Sequence, residues 1–144
     1  MKLGIKKIEF IQAALCKDWS YMPRSGQIKL SNFISDSLQE LPFTMDTGVF
    51  EEKWEKTSAG IRSVVNISGS IRQNRYESSA KMMDLLRGNY VFVITTNEGI
   101  KYIIGSIISP IKFSYTDSVS NISMSEYSFN AECETLHGAL IDNN

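Results

Sequence analysis

The sequence has few of the residues from which metal and catalytic sites are most often built. It contains one histidine and two cysteines among 144 residues. A pair of histidine ligands, or a general base that works with a second histidine, is therefore excluded by count. Cys133 and His137 supply only two ligands at a plausible spacing, whereas a zinc site needs about four. The sequence thus predicts no metal and no cofactor, and a structural or solvent-exposed role for His137.

The two cysteines, Cys16 and Cys133, lie far apart, and neither belongs to a C-x-x-C pair. Small domains that depend on disulfides usually carry several pairs of cysteines. We therefore expect two reduced, partly buried thiols, with a bridge between them as the alternative.

Catalytic signatures with a defined spacing are also missing. The glycines form neither G-x-G-x-x-G nor a P-loop, and no serine lies in G-x-S-x-G. The acidic pair Glu51-Glu52 falls in a predicted strand, where neighbouring side chains point to opposite faces and do not share a substrate. The sequence therefore predicts a protein that is not an enzyme.

No charge of one sign dominates. The chain has 15 Lys and Arg residues and 16 Asp and Glu residues, which give a net charge of −1 and no basic block. Sequence-specific binding of nucleic acid is therefore not expected. A run of about 18 apolar residues that would span a membrane is absent, and the N-terminus lacks the apolar core of a signal peptide. We expect a protein that is made in a cytoplasm and stays there unless something larger carries it out.

What is present is a β-rich pattern over a single domain, residues 1–144. Apolar alternation predicts about seven or eight mostly antiparallel strands, linked by hairpins. One main helix follows Tyr76 and ends at Gly88, a favoured residue after a helix C-terminus. The prediction is an α+β fold in which a curved sheet or small sandwich carries one helix and a long projecting hairpin.

Three local features refine this prediction. The first strand reverses its apolar phase between Ile5 and Ile8, which indicates a bulge or bend. The aromatic residues in 12–26 are expected to form a lid on one end of the core. Asp36 and Gln39 have the spacing that caps a single helical turn.

The longest predicted hairpin runs from Val49 to Lys56, turns over residues 57–60, and returns from Ile61 to Gln73. Its second arm alternates and should place its apolar face on the core. The first arm has charged residues on both faces, which is typical of a sheet edge or of a hairpin that projects from the body.

This first arm is the candidate interface. Phe50 and Trp54 are its apolar residues, and aromatic residues with a charged rim are typical of interface anchors. A solvated edge strand is the alternative interpretation, and the polar loop 116–125 is a second candidate contact. The candidate interface residues are Phe50, Glu51, Glu52, Lys53, Trp54, Glu55 and Lys56.

The order of patterns in residues 88–140 carries a resemblance. A strand leads to a turn with glycine, followed by KYIIG, by a Pro-x-Lys-Phe-x-Tyr strand, by a loop rich in serine and asparagine, and by a terminal Tyr-x-Phe strand. This order resembles that of small virion proteins from phages and prophages of Bacteroides-type hosts, of the tail-tube, tail-terminator or adaptor type. It is a resemblance of pattern, and residues 1–47 lie outside it.

The resemblance implies a non-enzymatic virion structural protein that forms rings, commonly hexamers, and contacts other tail proteins. DNA would pass through as cargo only, and no membrane would be bound. The expected location is the virion tail, and the host cytoplasm before assembly. The alternative is a monomeric β-rich binding module that recognises a peptide, protein or carbohydrate through Trp19, Tyr21 and Trp54.

Overall fold

The structure of the chain is a computed structural model that describes residues 2–19, 21–23, 26–44, 46–72, 76–118 and 126–143. The helix α1 spans Tyr76–Arg87, and short 3-10 helices span Ala13–Leu15 and Leu30–Asn32. The strands are β1 (Lys2–Gln12), β2 (Gln27–Ile28), β3 (Gln39–Glu40), β4 (Val49–Thr57), β5 (Gly60–Arg72), β6 (Tyr90–Thr96), β7 (Lys101–Ile104), β8 (Lys112–Ser118), β9 (Glu126–Thr135) and β10 (Leu140–Asp142).

These strands form one open, mixed sheet, which confirms the predicted β-rich fold with one main helix. The strand order is β2-β10-β7-β6-β1-β4-β5-β9-β8, with β3 paired to β1. Neighbours pair antiparallel except β2 and β10, which run parallel. The sequence did not predict β3 and β10, which are short strands of two and three residues.

The bulge predicted in β1 is confirmed. Residues Lys2–Gly4 pair with β4, whereas β1 pairs with β6 from Ile5 onward, with a register shift between Ile5 and Lys7. Strict alternation would bury one of the adjacent residues Lys6 and Lys7, and the shift leaves both exposed. Because of this register shift, β1 pairs with β4 at its N-terminal end and with β6 along the rest of its length, so it connects the two halves of the sheet, β2-β10-β7-β6 and β4-β5-β9-β8.

β4 begins beside β1 and then contacts β7 and the turn that precedes β10. The Phe50 ring stacks on Tyr102 of β7, with 5.2 Å between the ring centroids. Further along, the Glu52 carboxylate accepts a hydrogen bond from the backbone N–H of Ala139, next to β10, at 2.8 Å. Beyond its pairing with β1, β4 therefore runs past β7 towards the turn that precedes β10.

The sheet curves around its larger core. Phe92 on β6 lies against Phe113 on β8, with 6.3 Å between the ring centroids, although these strands are far apart in the sheet order. A second core covers the opposite face of β1, β6 and β7, where Val91 and Val93 pack with Trp19 and Leu30. Because β6 has a core on each side, its sequence is apolar on both faces.

Two local predictions are wrong. The helical turn expected at Asp36–Gln39 does not form, and Gln39–Glu40 pair with β1 as β3. The edge of β1 beyond its contact with β4 offers free backbone groups, and Leu41 N–H bonds to the carbonyl of Ile8. In the predicted loop 116–125, residues 116–118 continue β8, and 119–125 lie outside the described residues.

Candidate functional site

The β4–β5 hairpin is held in the sheet at its base and is paired on one side only at its end. Residues Val49–Glu51 pair with β1 and with β5, whereas Glu52–Thr57 pair with β5 alone among the described residues. β5 in turn pairs with β9 only from Ser63 onward. β4 is thus an inner strand at its base and an edge strand at its end, so the predicted edge is found in its charged part.

Phe50 is not available to a partner, and its place among the interface anchors is wrong. Its side chain is 0% exposed. It pairs with Ile67 of β5, which is also fully buried, and it stacks on Tyr102. The reason is that β4 crosses the core, so the face that carries Phe50 points inward.

Glu52 holds a turn in place. Its Oε2 atom accepts hydrogen bonds from the Ala139 N–H at 2.8 Å and from the Ser63 hydroxyl at 3.2 Å. The neighbouring Gly138 has φ = 74°, and a Cβ atom there would lie 2.7 Å from the Trp54 indole. The turn between β9 and β10 therefore packs against the hairpin through two features. The Glu52 carboxylate binds its backbone, and the absence of a side chain at Gly138 leaves room for the Trp54 indole.

The end of the hairpin keeps apolar side chains at the surface. Trp54 is 37% exposed and Ile61 is 42% exposed. Lys56 lies directly opposite Ile61, and Trp54 lies opposite Ser63. Because residues opposite each other and residues two apart share a face, Trp54, Lys56 and Ile61 lie on the same face of the hairpin. We call Trp54, Lys56 and Ile61 the tip face. The Lys56 ammonium forms no ion pair within the part of the chain that the structure describes.

The opposite face of the hairpin end carries an arginine that pairs with two carboxylates. Arg62 contacts the Glu55 carboxylate at 3.3 Å and the Glu134 carboxylate at 2.9 Å. All three side chains are well exposed, so each pair contributes little to stability, about 0–1 kcal/mol. The tip face is therefore the side of the hairpin end that combines exposed aromatic and aliphatic surface with a lysine.

The aromatic residues of the alternative binding surface do not form one surface. Trp19 is 0% exposed, and its Nε1–H donates to the carbonyl of Gly105 at 2.9 Å. Tyr21, by contrast, is 71% exposed. Trp19 therefore belongs to a lid over the second core, as the sequence predicted, and its assignment as a contact residue is wrong.

The cysteines are free and buried, as predicted. Burial raises the pKa of Cys16 to about 11. Burial, with the nearby carboxylates of Glu134 and Glu132, raises the pKa of Cys133 to about 12. Both thiols are therefore protonated at neutral pH and are poor nucleophiles. Nowhere in the described ranges do three or more His, Cys, Asp or Glu residues come together in a group that could hold a metal ion.

His137 is buried at 3% exposure in the turn between β9 and β10. Its Nδ1 atom lies 2.7 Å from the Gly138 carbonyl, so Nδ1 carries the proton and donates it. Nε2 is buried and has no hydrogen-bond partner among the residues described. Burial lowers the pKa of His137 below the ordinary value of 6.5, against opposing effects of the Gly138 carbonyl and the Asp18 carboxylate.

We therefore expect the free energy of unfolding to fall as the pH drops below 6.5. The unfolded chain binds the His137 proton more readily than the folded chain, so its stabilising contribution is complete above pH 6.5 and is lost on acidification towards the lowered folded pKa. Urea denaturation at a series of pH values measures this loss. His137→Gln cannot titrate and serves as the control, and an equal loss in both proteins would contradict the prediction.

A cavity of about 530 Å³ lies beside the C-terminal end of β1 and the C-terminal part of α1. Phe10 and Leu85 are buried in its wall, together with the half-buried Tyr90. The exposed residues Asp36 and Asp84 also line it. Neither carboxylate has an ion-pair partner in the described part of the chain. No local sequence pattern indicated this cavity, because its lining comes from four separate segments.

The chain matches no family model, no curated protein and no solved structure. Among the described helices, none is both long enough and apolar enough to cross a membrane.

Proposed function

We propose that the protein is a non-enzymatic structural subunit that assembles with copies of itself. The observation that carries the proposal is the tip face, where Trp54 and Ile61 remain 37% and 42% exposed at the end of a hairpin whose first strand pairs, among the described residues, only with β5. Exposed aromatic and aliphatic side chains beside charged residues are typical of interface anchors. The alternative interpretation, an edge strand that faces only solvent, does not explain why these two apolar side chains are exposed.

Free strand edges supply a second means of assembly. Within the part of the chain that the structure describes, Lys53–Thr57 of β4 pair with β5 alone, and β8 ends the strand order. An edge strand of this kind can add to the sheet of a neighbour, and a closed ring needs two different surfaces on each subunit. We propose that the hairpin end projects from the body, and that the two halves of the sheet pack as a small sandwich behind it.

The resemblance of residues 88–140 supports the more specific proposal of a phage tail or tail-like particle. In that setting the subunit is a tail-tube, tail-terminator or adaptor protein, forms a ring that is a hexamer in the commonest case, and contacts other tail proteins at its two ends. DNA passes as cargo, and the protein resides in the host cytoplasm before it enters the virion.

Trp54→Ala is expected to weaken self-assembly and to leave the subunit folded. The substitution removes the largest exposed apolar side chain of the tip face, while the rest of β4 stays paired with β5. Size-exclusion chromatography with light scattering at high protein concentration measures the assembly, and circular dichroism measures the fold. Tyr21→Ala, which removes a side chain that is 71% exposed elsewhere, is the matched control.

A strictly monomeric wild-type protein, alone and with other tail components, would contradict the proposal. The remaining alternative is a monomeric binding module, now reduced to Tyr21 and Trp54 because Trp19 is buried. If Tyr21→Ala weakens binding of a peptide or carbohydrate to a monomer, the alternative is the better description.

A further inference from the structure

We propose that the tip face of one copy inserts into the 530 Å³ cavity of the next copy, with Lys56 placed between Asp36 and Asp84. This inference rests on the proposed self-assembly and names the two surfaces that meet. The partner is thus a second copy of this chain, bound head to tail.

The positions of the two surfaces fit a head-to-tail contact. The cavity is lined by Phe10, Ile11 and Gln12 at the C-terminal end of β1. The hairpin meets β1 at the other end of that strand, at Lys2–Gly4, and continues to Glu52, which binds the turn before β10. A subunit therefore cannot fill its own cavity with its own hairpin. Two different surfaces on opposite sides are what a ring or a filament requires.

The chemistry of the two surfaces is complementary. The cavity carries two exposed carboxylates, of Asp36 and Asp84, with no cation paired to them in the described residues. The tip face carries one ammonium, of Lys56, which has no carboxylate partner there. Around these charges the cavity offers Phe10 and Leu85, and pockets that bury a ligand commonly measure about 300–1,000 Å³.

The hairpin is long enough to enter the cavity. Trp54 still lies against the body at Gly138, and the turn at Ser58-Ala59 follows four residues later. At roughly 3.3 Å per residue, the end of the hairpin extends about 13 Å beyond this contact. Lys56 lies midway along that distance, so its side chain can reach carboxylates at a cavity mouth while the turn passes beyond them.

The apolar and charged contacts contribute differently. An ion pair that loses its water gains little net affinity, since the cost of desolvation offsets most of the attraction. The burial of Ile61 at the cavity, and of Trp54 where the two subunits meet outside it, is therefore the source of affinity, and the pairing of Lys56 with the two carboxylates selects the correct partner surface. Like charges placed opposite each other cost several kcal/mol at an interface, so charge reversal is a sharp test.

The experiment compares Lys56→Glu with the double variant Asp36→Lys/Asp84→Lys by light scattering over a range of concentrations. Each variant alone is expected to need roughly 100-fold more protein than the wild type to assemble, because like charges then meet. An equimolar mixture of the two variants is expected to restore assembly, since the reversed tip meets the reversed cavity. All three positions are exposed, and a lysine near the end of α1 suits the helix dipole, so both variants should fold.

The possible outcomes separate this inference from the proposed function. If the cavity variant assembles as the wild type does while Trp54→Ala does not, the hairpin binds elsewhere, and this inference is overturned while the proposed function stands. If both charge variants fail to assemble and their mixture also fails, the direct pairing is overturned. A monomeric wild type overturns both proposals. Restoration in the mixture, with monomers in each variant alone, supports the pairing.

Discussion

Phe50→Ala is expected to lower the free energy of unfolding by about 3–5 kcal/mol, the usual cost of removing a buried phenylalanine. The side chain is fully buried, where β4 crosses the core. Its ring stacks on Tyr102 of β7, and on the other side it is flanked by Ile67 of β5. Because Phe50 connects the two halves of the sheet, the truncation leaves a cavity that neither half can close alone.

Urea denaturation followed by circular dichroism measures this loss, and Trp54→Ala is the matched control on the same strand. Trp54 is partly exposed, so its truncation should cost only about 1 kcal/mol, the typical effect of a single substitution. The two variants thus separate a core residue from an interface residue only four positions away. If Phe50→Ala kept its stability and lost assembly instead, Phe50 would be the interface anchor that the sequence indicated.

Much of the scaffold follows from local sequence. The apolar phase reversal between Ile5 and Ile8 locates the bulge, since adjacent lysines cannot both remain in solvent in a regular strand of this sheet. The predicted hairpin arms agree with β4 and β5 to within one residue, and the helix ends at Arg87, just before Gly88. In these places the nearest neighbours in sequence supply the determining interactions.

The residues that the sequence misassigned depend on distant contacts. Glu52 looks like a solvated charge, yet its carboxylate binds the backbone of Ala139, 87 residues away. Phe50 looks like an exposed anchor because its strand is charged on both faces, and only the position of Tyr102 across the core explains its burial. The alternation of a strand tells which residues share a face, but not what covers that face.

In the candidate site too, the residues with a local sequence signal were predicted, and those that depend on distant contacts were not. Trp54 and Lys56 were among the residues predicted for the interface, because an exposed aromatic in a charged strand is a local signal. The second arm of the hairpin, which begins at Ile61, was predicted to place its apolar face on the core, but Ile61 lies beyond the part of β5 that pairs with β9 and is exposed. The cavity that we propose to bind the tip face was not predicted, since Asp36 and Asp84 are far apart in sequence and line the same cavity only in the folded protein.

Trp19→Ala is expected to be as damaging as Phe50→Ala, with a loss of about 3–5 kcal/mol in the free energy of unfolding. Trp19 is fully buried in the second core and contacts the Phe33 ring at 6.1 Å between centroids. Its indole N–H also satisfies the buried carbonyl of Gly105. The side chain therefore fixes the lid segment to the loop that follows β7, and its removal should free both.

Trp19→Phe separates the two contributions of this side chain. Phenylalanine keeps most of the aromatic burial and lacks the N–H, so the Gly105 carbonyl loses its partner, at a cost of about 1–3 kcal/mol. Urea denaturation is therefore expected to rank the proteins with the wild type most stable, Trp19→Phe next and Trp19→Ala least. A binding-module function that uses Trp19 makes the opposite prediction, in which Trp19→Ala stays as stable as the wild type and loses its ligand. The 0% exposure of the indole favours the first result, because a side chain without accessible surface stabilises the fold and offers no surface that a ligand could contact.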